Sequence, residues 1–305
     1  MLQSLDEQDY EDFEVIFVND GSTDNTSIAI QQFCENPTHA LNHRHRLIEQ
    51  VNGGAGSARN AGLEAAVGEL IFFVDGDDYI FPQTLSKLAE LMTPEVDLAV
   101  GAFESSDHSL VCFPHINNRE QWLQATIAKG ALTLWNKMYR RSIIEDNNIR
   151  FDTTTRKSED HLFTAEYLIH STGRILVTDY IVYHYNWNPM SISHISMTTK
   201  TFSSWIADSV YAAARIYRLM EGKLNEKTLR ELRYDSYQKY RRIRHEAHQH
   251  HCKDKAFYDG IYLEMRSIMP VREMVIFSIR RRFSIYVQSI KRKWLKITDH
   301  SHLTV

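Results

Sequence analysis

Three carboxylates within four positions follow an apolar run in the first third of the chain. Residues 70–74 have the sequence LIFFV, and Asp75, Gly76, Asp77 and Asp78 come next. Because like charges at this spacing repel one another, the cluster is either a solvated turn or a place where the carboxylates share a cation. Oxygen ligands suit Mg²⁺ or Mn²⁺, and Mg²⁺ commonly binds one or two carboxylates together with phosphate oxygens. Gly76 has no side chain and would let a bulky ligand approach the backbone.

Two further segments carry groups that suit a polar ligand. Residues 52–60 have the sequence NGGAGSARN, a glycine-rich loop at a helix start whose backbone N–H groups suit an anion. Arg59 would add a fixed positive charge able to bind phosphate. The alternative is a plain turn with a surface arginine. Asp20 follows another apolar run, and its place before Gly21 is also ordinary turn chemistry.

The elements that would position these groups alternate along the first half of the chain. Apolar runs at 13–18, 69–74 and 96–103 predict strands, with helical periodicity between them. This alternation predicts a doubly wound, mostly parallel α/β sheet, in which ligands bind beyond the carboxyl ends of the strands. From about residue 201 onward only helical periodicity recurs. We therefore expect an α/β domain over residues 1–197 and a helical region over residues 198–305.

Composition and charge favour an ordinary soluble protein. The 305 residues are 43% hydrophobic and 24% charged, and the formal net charge of -4 selects no class of partner. The three cysteines have no CxxC spacing, which suggests a reducing compartment and argues against a disulfide framework. We find no cleavable signal peptide, and no apolar run approaches the roughly 20 residues that span a bilayer. We expect a cytoplasmic protein, or one bound to the inner membrane from the cytoplasmic face.

Four segments, in this order and at these separations, resemble glycosyltransferase family 2. They are FEVIFVNDGSTDNT at 13–26, the stretch from NGGAGSARN to IFP at 52–82, WNKMYRR at 135–141 and SEDHLF at 158–163. The resemblance covers roughly residues 1–190. It implies the GT-A fold and an enzyme of bacterial polysaccharide assembly, and it favours a cation site over a solvated turn at residues 75–78.

The resemblance also implies roles for the residues around the nucleotide. Asp20 matches the position that hydrogen-bonds the nucleotide base, and Arg59 lies in the loop beside the nucleotide. Asp75 and Asp77 form the D-x-D motif of the family. Asp77 would ligate the divalent cation that bridges the diphosphate, and Asp75 would face the ribose or the metal shell. Gly76 would leave room for the nucleotide, while Asp78 is expected to be the least constrained of the three carboxylates and to start the next turn.

The remaining motifs concern the acceptor side. Asp160 matches the expected general base, although Glu159 and Asp160 alone would suggest a capping pair at a helix start. In WNKMYRR, Asn136 and Lys137 are expected to face the donor or acceptor sugar, and Trp135 is expected to pack.

The implied activity is inverting, metal-dependent transfer of a sugar from a nucleotide-sugar, with a UDP-sugar as the expected donor. The acceptor would be a glycan or a lipid-linked molecule, the cofactor Mn²⁺ or Mg²⁺, and no nucleic acid is expected as a partner. A base would take the proton of the acceptor hydroxyl, and the cation would stabilise the departing diphosphate. Two alternatives stay open. One is a non-catalytic remnant that binds a membrane or a partner through its helical tail. The other is a sugar-phosphate nucleotidylyltransferase, which should carry a glycine-rich basic motif near its start.

The first strand that the family usually has is absent from this sequence. The match begins within the helix that should follow that strand, at residues 2–14. In a doubly wound sheet the first strand is central, so its loss would leave neighbouring strands unpaired and an apolar face exposed. We therefore expect the chain of residues 1–305 to be poorly soluble or weakly active, and an upstream extension to restore transfer.

The end of the chain predicts a basic amphipathic helix. Apolar residues recur at steps of three or four, and basic residues flank them. The apolar residues are Ile276, Ile279, Phe283, Tyr286, Ile290, Trp294 and Ile297. This pattern suits an anionic membrane surface, although a helix packed on the catalytic domain with a solvated basic face would also explain it. The pair His245 and His248 has a spacing one residue short of H-E-x-x-H, and we interpret it as part of a solvated helix.

Overall fold

Strands and helices alternate as far as residue 185 in a computed structural model that describes residues 1–188 and 202–279. The strands are β1 (Val15–Asp20), β2 (His45–Gln50), β3 (Leu70–Phe72), β4 (Tyr79–Ile80), β5 (Val96–Ser105), β6 (Leu110–Val111), β7 (Lys137–Arg140) and β8 (Arg174–Tyr185). The helices between them are α1 (Leu2–Asp6), α2 (Thr26–Cys34), α3 (Ala55–Ala65), α4 (Thr84–Ala89), α5 (Arg119–Thr126), α6 (Arg141–Asp146) and α7 (Glu159–His170). The predicted α/β class is confirmed.

The larger sheet is mixed. Its strands lie in the order β3-β7-β5-β8-β4, and β6 pairs with β5. The β5–β8 pair is parallel, whereas β3–β7, β5–β7, β4–β8 and β5–β6 are antiparallel. The prediction of mostly parallel pairing was therefore wrong for this sheet. Apolar runs identify strands but not their neighbours, and the chain enters β7 from an irregular segment that reverses its direction.

The strands β1 and β2 form a separate parallel sheet of their own. Within the described residues, β1 pairs with β2 alone and β3 pairs with β7 alone, so one edge of each strand is left unpaired. The two sheets are linked near both ends of these strands. At one end, Glu14 accepts hydrogen bonds from the backbone N–H groups of Val67 and Gly68, just before β3. At the other end, Asp20 of β1 accepts hydrogen bonds from Gly53 and Gly54 just before α3, and Arg59 of α3 donates to Asp75 just after β3.

The helix α3 lies over both sheets. Gly62 faces Val18 of β1, and Leu63 belongs to the same apolar core as Ile71 of β3. The burial of each strand follows the number of strands that pair with it. Residues 96–102 of β5, which has strands on both sides, are buried throughout, whereas most residues of β1 and β3 are only half-buried. The two sheets are therefore joined by packing and not by strand pairing: α3 contributes on one side, and Phe17 of β1 shares a second apolar core with Met138 of β7, against which Leu70 and Phe72 of β3 pack.

The helical region packs on α7. It comprises α8 (Phe202–Met220), α9 (Glu226–Gln249), α10 (Lys255–Ile268) and a helical segment at 271–279. Side chains of Asn225 and Asp254 cap α9 and α10 by accepting hydrogen bonds from the backbone N–H groups of Thr228 and Phe257. Apolar side chains of the three helices share one core with α7 and β5. The expected domain boundary near residue 197 lies outside the described residues.

Other sequence-based expectations concern this helical region. The expected last helix lies outside the described residues beyond position 279. Of the described helices, none is long and apolar enough to cross a membrane. His245 and His248 are exposed on α9.

Candidate active site

The carboxylate cluster forms a tight turn between β3 and β4. The backbone N–H of Asp78 donates to the carbonyl of Asp75 at 3.1 Å, so the four residues 75–78 close on themselves. Asp77 is exposed and Asp75 half-buried, but Asp78 is only 2% exposed. The expectation that Asp78 is the least constrained of the three was therefore wrong: it is the most buried carboxylate of the cluster. Burial raises the pKa of Asp78 to about 6, with hydrogen bonds to its carboxylate opposing that rise.

The end of β8 holds this turn from the other side. Tyr183 donates its hydroxyl to Oδ2 of Asp78 at 2.6 Å, and the backbone N–H of Asn186 donates to Oδ1 at 2.7 Å. The side-chain amide of Asn186 donates to the carbonyl of Asp77 at 3.2 Å, and that of Asn188 donates to Oδ2 of Asp77 at the same distance. Sequence reasoning missed these three residues, since nothing in a strand pattern shows which turn the end of the strand meets.

Arg59 joins the turn to the start of α7. Its guanidinium donates to Asp75 Oδ1 at 2.9 Å and to Glu159 Oε1 at 2.7 Å, and it lies 5.5 Å from the ring centre of Phe151. Burial alone would lower the pKa of Arg59, but the nearby carboxylates, Asp75 first, outweigh that effect and raise it. Arg59 is therefore a permanent positive charge between two predicted site segments that lie 84 positions apart (159 − 75) in the sequence.

The two acidic residues at the start of α7 have different surroundings. Glu159 is nearly buried and paired with Arg59. Burial raises the pKa of Glu159, Asp160 adds to the rise, and Arg59 opposes it. Asp160 keeps 26% of its side chain exposed, and its Oδ2 lies 3.9 Å from Nε2 of His161. Of the two, Asp160 is thus the one whose carboxylate is more open to a proton donor from outside, although its role as a base stays a prediction.

Asp20 fixes the glycine-rich loop. Its two carboxylate oxygens accept hydrogen bonds from the backbone N–H groups of Gly53 and Gly54, each at 2.8 Å, and Gln50 donates a third at 2.7 Å. Gly54 has a φ of 86°, in the region that favours glycine. Two N–H groups proposed to hold an anion are therefore directed at Asp20. Contact of Asp20 with a nucleotide base stays a prediction.

The WNKMYRR segment lies inside the fold. Asn136 and Lys137 are 0% exposed, so the prediction that they face a sugar was wrong. Lys137 donates from Nζ to the carbonyl of Thr133 at 2.6 Å and to Oδ1 of Asn136 at 2.7 Å. Burial lowers the pKa of Lys137 to about 7. Trp135 stacks on Tyr183 with ring centres 4.5 Å apart, which confirms its predicted packing role.

The residues at the turn fit a cation whose shell is completed by a substrate. Asp75 and Asp77 offer hard oxygen ligands on either side of Gly76, the set that Mg²⁺ and Mn²⁺ prefer. In the described part of the chain, no group of three or more histidine, cysteine or acidic side chains could hold a metal by itself. Two carboxylates with an open face are what a cation needs when phosphate oxygens supply its remaining ligands.

Solved structures with the same fold are glycosyltransferases. TarS of Staphylococcus aureus, residues 1–349 in complex with UDP-GlcNAc, superposes with a TM-score of 0.69 at 23% identity, over 90% of this chain and 78% of that one. The mannosyltransferase PcManGT of Pyrobaculum calidifontis, in complex with GDP-Man and Mn²⁺, gives a TM-score of 0.53 at 14% identity, over 93% and 82%. The fold is thus the GT-A fold that the motifs implied.

Sequence comparison relates the chain to one enzyme family. Residues 1–147 match the family model described as glycosyl transferase family 2. An uncharacterized glycosyltransferase, EpsJ of Bacillus subtilis, is 32% identical over 206 residues, which are 64% of this chain and 58% of EpsJ. TarS, a poly(ribitol-phosphate) β-N-acetylglucosaminyltransferase, is also 32% identical, over 61% of this chain and 32% of TarS. The match with EpsJ therefore spans somewhat more than half of that relative.

Proposed function

We propose that this chain transfers a sugar from a nucleotide-sugar, specifically a UDP-sugar, to a glycan or lipid-linked acceptor in cell-surface polymer synthesis. The observation that carries the proposal is the bridge made by Arg59. It brings the D-x-D turn and the acidic start of α7 into one site, as a transfer between donor and acceptor requires. Similarity to TarS, which is named for a polymer acceptor and was solved with UDP-GlcNAc, supports the donor and acceptor classes.

The proposed reaction is an inverting displacement. The acceptor hydroxyl attacks the anomeric carbon, its proton passes to a carboxylate oxygen of Asp160, and the nucleoside diphosphate leaves with the electrons of the broken C–O bond. Arg59 holds Glu159 in an ion pair, which leaves Asp160 to act as the base. Asp77 and Asp75 would hold Mn²⁺ or Mg²⁺, which when bound stabilises negative charge on the diphosphate.

Transfer of labelled sugar from UDP-sugars in the presence of Mn²⁺ tests this proposal. Asp77→Ala and Asp160→Asn should each abolish transfer, and Asp160→Asn should keep UDP binding, because Asp160 acts on the acceptor. Asp146→Asn, at an exposed carboxylate on α6, is the matched control and should transfer normally. Binding of UDP without transfer or donor hydrolysis in the unaltered chain would instead favour a non-catalytic remnant.

We also propose that the C-terminal region binds an anionic membrane surface from the cytoplasmic side. Four apolar residues of segment 271–279 are exposed: Val271, Val275, Ile276 and Ile279. The sequence that follows contains Arg280, Arg281 and Arg282. Apolar side chains next to basic ones suit the boundary of an anionic bilayer.

Vesicle flotation tests this membrane proposal. The double variant Ile276→Ser/Ile279→Ser should lose flotation with vesicles that contain phosphatidylserine. Val67→Ser removes an apolar side chain that is more exposed than either isoleucine, at a place far from the C-terminal region in the sequence, and it should float like the unaltered chain. Flotation that survives the double variant would remove the proposal.

A further inference from the structure

A buried hydrogen-bond relay lies directly behind the D-x-D turn. The hydroxyl of Tyr183 accepts from the backbone N–H of Asp75 at 3.1 Å and donates to the carboxylate of Asp78 at 2.6 Å. Tyr183 therefore touches the first residue of the turn through its backbone and the last through its side chain. Tyr183 is 0% exposed, so water does not compete for these bonds.

Each member of the relay is itself held in place. The ring of Tyr183 stacks on Trp135, and the backbone of Tyr183 pairs with that of Ile80 just after the turn. The second oxygen of Asp78 accepts from the backbone N–H of Asn186. Both oxygens of Asp78 thus accept hydrogen bonds from β8 and its continuation, and these bonds fix the orientation of the buried carboxylate.

We propose that Tyr183 and Asp78 are positioning residues that hold the turn in the form in which Asp75 and Asp77 can share a cation. The inference rests on the proposed function. Two adjacent carboxylates repel each other, so an unsupported turn would separate them when no cation is present. The relay fixes the backbone on both sides of Gly76, while the carboxylate of Asp75 is held at Oδ1 by Arg59 and that of Asp77 is exposed. Neither Tyr183 nor Asp78 needs to touch the cation.

The chain offers a matched control for Tyr183. Tyr167 is also a buried tyrosine, and its hydroxyl also accepts from a backbone N–H, that of Arg140, and donates to an oxygen, the carbonyl of Asp97. Tyr167 lies on α7, and its two hydrogen bonds join the end of β7 to the start of β5, far in sequence from the turn. Tyr183→Phe and Tyr167→Phe therefore remove equivalent hydroxyl groups, and only the first of them lies at the turn.

Titration calorimetry measures the affinity for UDP with and without Mn²⁺. The ratio of these two affinities is the gain that Mn²⁺ provides, and the inference predicts how each variant changes it. Tyr183→Phe should reduce the gain in UDP affinity that Mn²⁺ provides by about tenfold, equivalent to about 1.4 kcal/mol. Tyr167→Phe should keep the full gain even where it lowers thermal stability as much. Asn186→Ala, at an exposed site, removes the side-chain contacts with the Asp77 carbonyl and the Ser106 hydroxyl but keeps the backbone N–H bond to Asp78, and it should give a smaller loss in the same direction.

Hydrogen exchange without ligand provides a second readout. Tyr183→Phe should speed exchange of the amides in residues 74–79, whereas Tyr167→Phe should speed exchange at Arg140 and leave residues 74–79 unchanged. An unchanged Mn²⁺ gain in Tyr183→Phe, or an equal loss in Tyr167→Phe, overturns the inference. If the unaltered chain binds no UDP with Mn²⁺, the proposed function fails. In that case, exchange at residues 74–79 still decides whether the relay holds the turn.

Discussion

Replacing Arg59 with methionine should destabilise the protein far more than the loss of a surface ion pair does. Arg59 is 17% exposed and neutralises two carboxylates, of which Glu159 is 11% and Asp75 is 34% exposed. Removing one partner of a buried pair costs about 3–5 kcal/mol, whereas exposed pairs contribute about 0–1 kcal/mol. Because Asp75 retains contact with water, we expect a loss near the lower end of the buried range, about 3 kcal/mol.

Urea unfolding of matched variants measures this difference. Arg150 pairs with Glu145 at 2.8 Å with both side chains about a third exposed, so Arg150→Met should cost less than about 1 kcal/mol. The double variant Arg59→Met/Glu159→Gln should recover part of the loss, because it removes the carboxylate left without a partner. Recovery in the double variant identifies Glu159 as the main source of the cost.

The loss in Arg59→Met should also depend on pH. Burial already raises the pKa of Glu159, and without Arg59 that pKa rises further. The folded state then binds a proton more readily than the unfolded state, so the free energy of unfolding falls as pH rises through that range. The deficit of Arg59→Met should therefore be smaller at pH 5 than at pH 8. A deficit equal to that of Arg150→Met, or one independent of pH, would refute the argument.

Three further predictions concern the rest of the fold. Burial lowers the pKa of Lys137 to about 7, so the unfolded state binds more protons between pH 7 and 10. Between these pH values the free energy of unfolding should rise by up to about 1.4 kcal/mol per pH unit. Urea unfolding of Lys137→Met should show no such rise, and the same pH dependence in the variant and the unaltered chain would contradict this prediction. Asp20→Ala releases the N–H groups of Gly53 and Gly54, so amide hydrogen exchange at residues 52–57 should become faster. UDP affinity should fall about tenfold, equivalent to about 1.4 kcal/mol. The control Asp24→Ala should leave the exchange rates and the UDP affinity unchanged. Finally, backbone amides of β1 and β3 should exchange hydrogen faster than those of β5. Equal protection would show that the unpaired edges of β1 and β3 are shielded from water as well as a paired strand is.

The sequence predicted the elements of the fold better than their arrangement. The apolar runs that form β1, β3 and β5 and the helix at α3 were each recognisable from local pattern. The pairing of β5 with both β7 and β8 was not, because it joins segments up to about 80 residues apart through contacts that local periodicity does not record. The direction of β7 depends in turn on how the irregular segment before it packs.

The candidate site divides in the same way. Motifs identified Arg59, Asp75 and Glu159, and the structure brings these three together. Asp78 was misjudged because its burial depends on β8, more than 100 positions later. Lys137 was misjudged because a lysine in a motif suggests a ligand contact, whereas this one has its acceptors within its own segment. Polarity is visible in a sequence, but the partner that satisfies it is not.

The division of the strands into two sheets has a consequence for stability. The β1–β2 sheet holds Asp20 and the larger sheet holds the D-x-D turn, and within the described residues they are joined by apolar packing and side-chain hydrogen bonds and not by strand pairing. A ligand that touched both sheets at once would connect two sheets that no backbone hydrogen bonds between strands join. Its binding free energy would then add to the free energy of unfolding. The free energy of unfolding would then rise with the free concentration of the ligand, whereas a mutation that stabilises the free and bound forms equally would leave the affinity unchanged.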